Sequence, residues 1–502
     1  MKLCAAVFRP RRWTFKYALF LCAFFYTAVH LLFDMPLLSR KLPKYSGPHD
    51  VGLIDVEVPC ERRKVADAVF KSTREPAFEL ETVLFSLYYP TVKGAQSREP
   101  HHPWVPKPLS LTGEGFARFA HVNNFLTKPV FTFALWMLAG STTIPAEVDV
   151  PLHGTTNSFR GYQAEQPLDD YGLPEFPVIV FSHGVASART SYTQWCGEMA
   201  SRGFVVAAVE HRDGSGPGSF IIPEKGVKKP LFHIAANMLD PQPEVGELKA
   251  MQLAMRQAEV EEVVRILRSI NSGHGAEVFK NNTRMEGQDL DAFKGRLNMD
   301  RMILGGHSFG ATLALQALKD APNETRPFQG GLMFDPGKQS GPLNEDVNVP
   351  IVIVHSQSWS AKYSMFHGRP HFDTVKEIAR KIIDDRRKFA WFVTARGTTH
   401  PSVTDAPLVE PRLLSWATGS TIEAREGLLQ YVKISKQFMH YLETGHRQSI
   451  LTEPPTHPEY DQKIKDVYPK VAKYWQIHMS PSDMCPSIGY CGLDEPDPEE
   501  ND

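Results

Sequence analysis

The sequence predicts an α/β fold: a mostly parallel central sheet with helices on both faces, preceded by an N-terminal membrane-anchor helix. Three observations carry this. Continuous apolar runs such as Phe204–Val209 suit strands covered on both sides. Each run ends in small or polar residues where loops emerge. One of them, Met302-Ile303-Leu304-Gly305, opens onto Gly306-His307-Ser308-Phe309-Gly310 and then a helix-favouring segment (Ala311, Leu313, Ala314, Leu315, Ala317, Leu318).

The bulk properties exclude several classes. The chain has 502 residues, long enough for one large domain with insertions or for two smaller ones. Apolar residues make up 42% and charged residues 22%, ordinary globular values. A net charge of −2 gives no reason to expect a nucleic-acid partner. Six cysteines are too few for a disulfide scaffold and lack paired metal-ligand spacing.

Residues 1–16 form a basic segment (Lys2, Arg9, Arg11, Arg12, Lys16), and Tyr17 to Phe33 is apolar apart from Thr27 and His30. The span 17–33 reads as a transmembrane signal anchor that leaves the remainder lumenal or extracellular, with a cleaved signal peptide as the alternative. Either reading sends the chain through the secretory pathway, where Asn281 and Asn323 are glycosylation acceptors by sequence. In that oxidising setting Cys485 and Cys491 are close enough to bridge, while Cys60 and Cys196 read equally as buried thiols. Residues 34–79 read as linker and edge structure, 80–480 as the catalytic domain, and 481–502 as a disordered acidic tail.

Within the domain, Leu84–Pro90 reads as a strand stopped by its proline. Phe116–Ala139 is aromatic-rich, and its second half, Val130–Ala139, is too short to cross a bilayer, so it reads as a buried helix with an interfacial helix as the alternative. Val178–Phe181 is a strand running into Ser182-His183-Gly184-Val185, where glycine lets a backbone amide face a substrate. The strand after it ends in Glu210-His211-Arg212-Asp213, read as a loop-fixing salt-bridge cluster rather than catalytic machinery. Residues 214–245 read as a loop or lid, and Glu247–Ile270 as a long helix whose methionines belong to the core.

The Gly-x-Ser-x-Gly turn between strand and helix is a nucleophile elbow. Downstream, the short strand Gly330–Phe334 ends at Asp335, Val349–His355 ends without a carboxylate, and Phe389–Val393 leads through Arg396-Gly397 to His400. The order Ser, acid, His is that of α/β-hydrolases. It assigns Ser308 as nucleophile, His400 as base, and Asp335 as the acid that fixes the imidazole, with Asp373 in reserve. The amides of Val185 and Phe309 are the expected oxyanion donors. His307 reads as elbow packing and His183 as loop orientation.

These residues resemble the plasma-type platelet-activating-factor acetylhydrolases, serine esterases acting on the sn-2 ester of phospholipids. The resemblance rests on Leu87–Pro90, Trp104–Pro106, Ser141–Ala146, Val178–Tyr192, Gly203–Asp213, Gly306–Gly310 and Arg396–His400, spread over roughly residues 80–445. It implies the same three triad residues, calcium independence, no cofactor and no metal, and a membrane-facing aromatic helix that makes residues 116–139 a lipid-docking element. The chain departs from the family in Ala311 after the elbow, in the sequence around Asp335, and in insertions at 214–245, 359–388 and 405–425. The function this implies is hydrolysis of short or oxidised sn-2 acyl chains from phospholipids. The alternatives are a broad carboxylesterase or lipase with the same triad, and a non-catalytic hydrolase-fold scaffold.

Overall fold

The computed structural model describes residues 14–32, 38–154, 174–461 and 473–481. Basic residues up to Arg12, most of the acidic tail, and Cys4, Cys485 and Cys491 lie outside them.

Among the described residues ten strands form one sheet: β1 (Asp50–Lys64), β2 (Glu79–Thr91), β3 (Glu147–Val148), β4 (Phe176–Ser182), β5 (Val205–Glu210), β6 (Leu297–His307), β7 (Gly330–Phe334), β8 (Ile351–Ser356), β9 (Ala390–Ala395) and β10 (Trp475–Met479). Their spatial order is β10-β9-β8-β7-β6-β4-β5-β2-β1-β3. The six strands from β9 across to β5 are mutually parallel. Antiparallel β2 and β1 continue the sheet on one side, and antiparallel β10 closes the other.

Side chains alternate between two cores, as the pleat requires. Val178, Val180, Val205, Ala207, Leu304 and Ile353 face one, while Ile179, Phe181, Val206, Ala208, Ile303 and Val352 face the other. Helices Val245–Ser269, Phe309–Ala317 and His371–Asp384 cover the first face, and Thr193–Ala200 and Ala424–Thr444 the second. Met255 is buried and Met251 packs against a third, smaller cluster, so both methionines serve the core.

Several expectations change. Pro90 does not stop its strand, because β5 pairs only with Leu84–Tyr88 and leaves that end of β2 bonded on one side alone. The 214–245 segment is not a plain loop: Gly218–Ile221 and Lys229–Phe232 pair as an antiparallel hairpin. The membrane-spanning anchor is not supported. Residues Phe15–Leu32 form a helix of 18 residues. Among the described residues no helix is long and apolar enough to cross a membrane. The buried reading that the residues alone give Val130–Ala139 does not hold either. Helices Leu109–Phe119 and Thr127–Ala139 pack on each other, yet Phe125, Leu126, Val130 and Phe133 stand exposed.

Strand β1 carries two buried acids. Glu57 is fully buried, where it receives hydrogen bonds from Thr82 Oγ1 (2.9 Å) and the Ile222 amide (2.9 Å) and pairs with Arg212 (2.6 Å) and Arg284 (2.7 Å). Burial alone would raise its pKa, but the two guanidinium groups and the hydrogen bonds from Ile222 and Thr82 together outweigh it and hold the group below the ordinary value. A carboxylate with a depressed pKa contributes stability that is complete above its unfolded value and is lost as pH falls through the folded one. Glu57→Gln strands two cations and should cost about 3–5 kcal/mol at pH 7. Urea unfolding should show that deficit constant down to about pH 4.3 and narrowing below it; a pH-independent deficit would rule out the ion pairs as its source.

Candidate active site

The functional residues gather at the carboxyl ends of the parallel strands, where β4, β6, β7 and β9 release their loops. Ser308 follows β6 directly and has φ 56° and ψ −117°, a conformation L-residues avoid. The neighbouring backbone enforces it. A Cβ on Gly306 would overlap the Gly310 carbonyl, and one on Gly310 would overlap the carbonyl oxygen of Ser182 at the end of β4. The Ser308 amide is tied to Phe334 O (2.9 Å), and helix Phe309–Ala317 starts immediately behind it. The turn therefore presents the side chain at the sheet edge with first-turn amides beside it.

Asp335 ends β7 in a left-handed conformation (φ 48°) and is buried. Its Oδ1 accepts the Ser356 amide, and its Oδ2 accepts Ser356 Oγ (2.7 Å) and lies 2.8 Å from His400 Nδ1. With a carboxylate as acceptor, Nδ1 carries the proton and Nε2 keeps a lone pair. Asp373, the reserve acid, instead sits in the first turn of helix His371–Asp384.

His400 is fixed on two sides. The Trp359 indole stacks on it (centroids 3.9 Å apart, planes 10° apart) and is itself anchored by Nε1 to Pro336 O (2.9 Å). The His307 ring lies on another side at 4.4 Å. Lys338 donates to Trp359 O (2.6 Å) and Lys362 O (2.7 Å) with its ammonium 4.7 Å from the Trp359 ring, and burial lowers its pKa to about 8.

His307 receives Tyr192 Oη at 2.8 Å on Nδ1, and the same hydroxyl accepts the Gly184 amide (3.1 Å). Burial holds His307 well below its usual pKa, with His400 adding to that. It is a neutral packing and linking group. The donor atoms of His307, Asp335 and His400 lie within 4.8 Å of one another, the one His/Cys/Asp/Glu cluster of that kind among the described residues. Nδ1 of His400 and Oδ2 of Asp335 are spent on each other, and Nδ1 of His307 on Tyr192, so the set fits a proton path better than an ion.

The loop that carries Val185 approaches the serine through the residue before it. A Cβ on Gly184 would come within 3.2 Å of Ser308 Cβ, so the residue before Val185 abuts the serine, and Phe309 follows the serine in the chain. His183 orients this loop: its Nε2 accepts the His211 amide (3.1 Å), so Nδ1 carries the proton and donates to Gly184 O (2.8 Å). Burial, with Arg256 nearby, drops its pKa to about 4 and keeps it neutral. The Glu210–Asp213 tetrad is structural. Glu210 holds Arg189, His211 contacts Glu259 (2.6 Å) and Ser182 Oγ (2.7 Å), Arg212 pairs with Glu57, and Asp213 with Arg256.

The sequence did not flag Tyr192, Ser356, Trp359 or Arg256. Only Tyr192 fell inside a motif stretch. Of the acceptor asparagines, Asn281 is exposed, whereas Asn323 is half-buried with Oδ1 accepting the amides of Thr325 (3.1 Å) and Arg326 (2.9 Å). Cys60 and Cys196 are free thiols.

A mostly parallel sheet whose central strand delivers a strained serine, with an Asp–His pair on the loops of later strands, defines an α/β-hydrolase. The structure is similar to a ferulic acid esterase from Streptomyces cinnamoneus, with a TM-score of 0.51 and 16% identity over 83% of this chain and 96% of that one, a likeness of fold. The chain belongs to the family described as platelet-activating factor acetylhydrolase, isoform II, whose model matches residues 37–448. It is 24% identical to the platelet-activating factor acetylhydrolase of Gallus gallus over 463 residues, covering 88% of this chain and 91% of that protein. It is 28% identical to the Cavia porcellus enzyme of the same name over 63% of this chain and 60% of that one. A putative phospholipase A2 of Schizosaccharomyces pombe is 23% identical over 80% of this chain and 92% of its own length. Membership places the chain among lipid-ester hydrolases.

Proposed function

We propose that the chain is a serine esterase that hydrolyses the sn-2 ester of phospholipids carrying short or oxidised acyl chains. The observation that carries this reading is the His400–Asp335 hydrogen bond beside the strained Ser308 elbow, in a chain of this family. Ser308 Oγ attacks the ester carbonyl while His400 Nε2 takes its proton, and the negative charge that develops on the carbonyl oxygen faces the amides of Val185 and Phe309. The imidazolium, held against Asp335, then protonates the departing lysophospholipid alkoxide. Water, deprotonated by His400, attacks the acyl-Ser308 ester, the acyl–Oγ bond breaks to release the fatty acid, and the imidazolium returns its proton to Ser308 Oγ. No step calls for a cofactor or calcium, so chelation of divalent ions should leave the rate unchanged.

The exposed helix Thr127–Ala139 supplies the lipid contact in this reading. Val130, Phe133 and Trp136 project from it, with Phe125 and Leu126 at its start. Apolar side chains in that number on the exposed face of one helix match insertion at the headgroup level. A broad carboxylesterase using the same residues is the second reading, because the insertions at 359–388 and 405–425 reach the His400 loop, through Trp359 stacked on His400 and Thr418 bonded to Thr399, and loops of this kind set substrate range.

Two outcomes are expected. Ser308→Ala should abolish hydrolysis of a phosphatidylcholine bearing sn-2 acetyl, His400→Ala should lower it by 10³-fold or more, and a long-chain sn-2 analogue should be a poor substrate for the wild type; equal rates on the two chain lengths would favour the carboxylesterase. Replacing Val130 and Phe133 by serine should weaken co-sedimentation with phosphatidylcholine vesicles at least tenfold while leaving turnover of a monomeric ester intact, and unchanged vesicle binding would remove the docking role.

A further inference from the structure

Arg256 lies in the middle of the long helix Val245–Ser269, fully buried, at a position where a helix covering a sheet ordinarily presents an apolar side chain. Its guanidinium is committed on every side. Nε donates to Asp213 Oδ2 (2.6 Å), Nη1 to His183 O (2.6 Å) and Ser182 Oγ (3.3 Å), and Nη2 to Ser215 Oγ (2.6 Å). Its plane also lies 4.5 Å from the centroid of the Phe309 ring, which Lys249 approaches at 4.8 Å.

These contacts converge on two backbone segments. His183 is two residues before Val185. On the other side of Val185, the Ala186 amide donates to Ser215 O (2.9 Å), and Ser215 is fixed by Asp213 Oδ1 through its amide (3.0 Å) and hydroxyl (2.7 Å). Ala186 also holds a positive φ of 57°, so this turn needs external support. Phe309, whose ring rests on the same guanidinium, belongs to the elbow.

We infer that Arg256 is the positioning residue that sets the distance between the two halves of the oxyanion hole, bracketing Val185 through His183 O and Ser215 while holding Phe309 by its ring. The inference rests on the esterase reading. A point charge on a flexible stem cannot reproduce it, because the function uses a planar fork addressing four acceptors and an aromatic face at once. A buried pair kept for stability alone is commonly replaced by apolar residues without loss, whereas this one spends its donors on the carbonyl and hydroxyl that shape the loop.

The test compares wild type, Arg256→Lys and Ser215→Ala on an ester and on the matching thionoester, in which sulfur replaces the carbonyl oxygen. Sulfur is a poor acceptor from oxyanion donors, so an intact hole favours the oxygen substrate. Arg256→Lys should lower kcat on the ester about 10- to 100-fold with KM within about twofold, and the ester-to-thionoester rate ratio should fall with it. Ser215→Ala, which leaves the Ala186-binding carbonyl in place, should shift the same ratio less, and it decides the matter if Arg256→Lys does not fold. A ratio unchanged from wild type in the folded variants, with both substrates slowed equally, would overturn the inference alone. Turnover that survives Ser308→Ala would remove the esterase reading and this inference with it.

Discussion

The close approach of the elbow helix to the end of β4 is the constraint on which the site depends. Gly310 lies against the Ser182 carbonyl so tightly that no side chain fits, and Gly306 lies as tightly against Gly310. This contact forces Ser308 into a conformation that costs on the order of 1–3 kcal/mol. The parallel ladder supplies the restraint: β6 is paired on both sides, to β4 and β7, right up to Gly306 and His307. The same contact brings the His183–Val185 turn beside the serine. Nucleophile and oxyanion loop are thus products of one packing event.

Beneath that surface lies a charged interior. Arg189, Arg212 and Arg256 are all buried, each against at least one buried acid, and they tie together the loops after β4 and β5, strand β1 and the long helix. Desolvating so many charges is costly, and the ion pairs offset that cost only because nearly every acid also accepts further hydrogen bonds. The result is a set of loops with defined positions below a serine that must be held at one angle. His400 is held differently, by ring stacking on Trp359 and by Asp335, and it is far less buried than that acid.

Much of this was legible in the residues. The parallel strands were read to within a few positions because their apolar runs are uninterrupted, as in Phe204–Val209 and Gly330–Phe334. The elbow was legible because its steric demand leaves a glycine pattern. Strand β1 was not read as a strand, since Asp55 and Glu57 break its apolar run and only the buried arginines, far away in sequence, explain them. Arg256 was hidden for the same reason: a polar residue in a helix looks solvent-facing until its partners are known. The exposure of Thr127–Ala139 was invisible to periodicity, because a helix apolar on nearly every side has the same pattern whether protein or lipid covers it.

The most direct test of the account is peptide mass spectrometry after treatment with a fluorophosphonate, which traps an activated serine as a tetrahedral adduct. The account predicts a single adduct on Ser308, formed quickly by the wild type and lost in His400→Ala even though the serine remains. An adduct on another residue, or labelling of Ser308 that does not depend on His400, would contradict it.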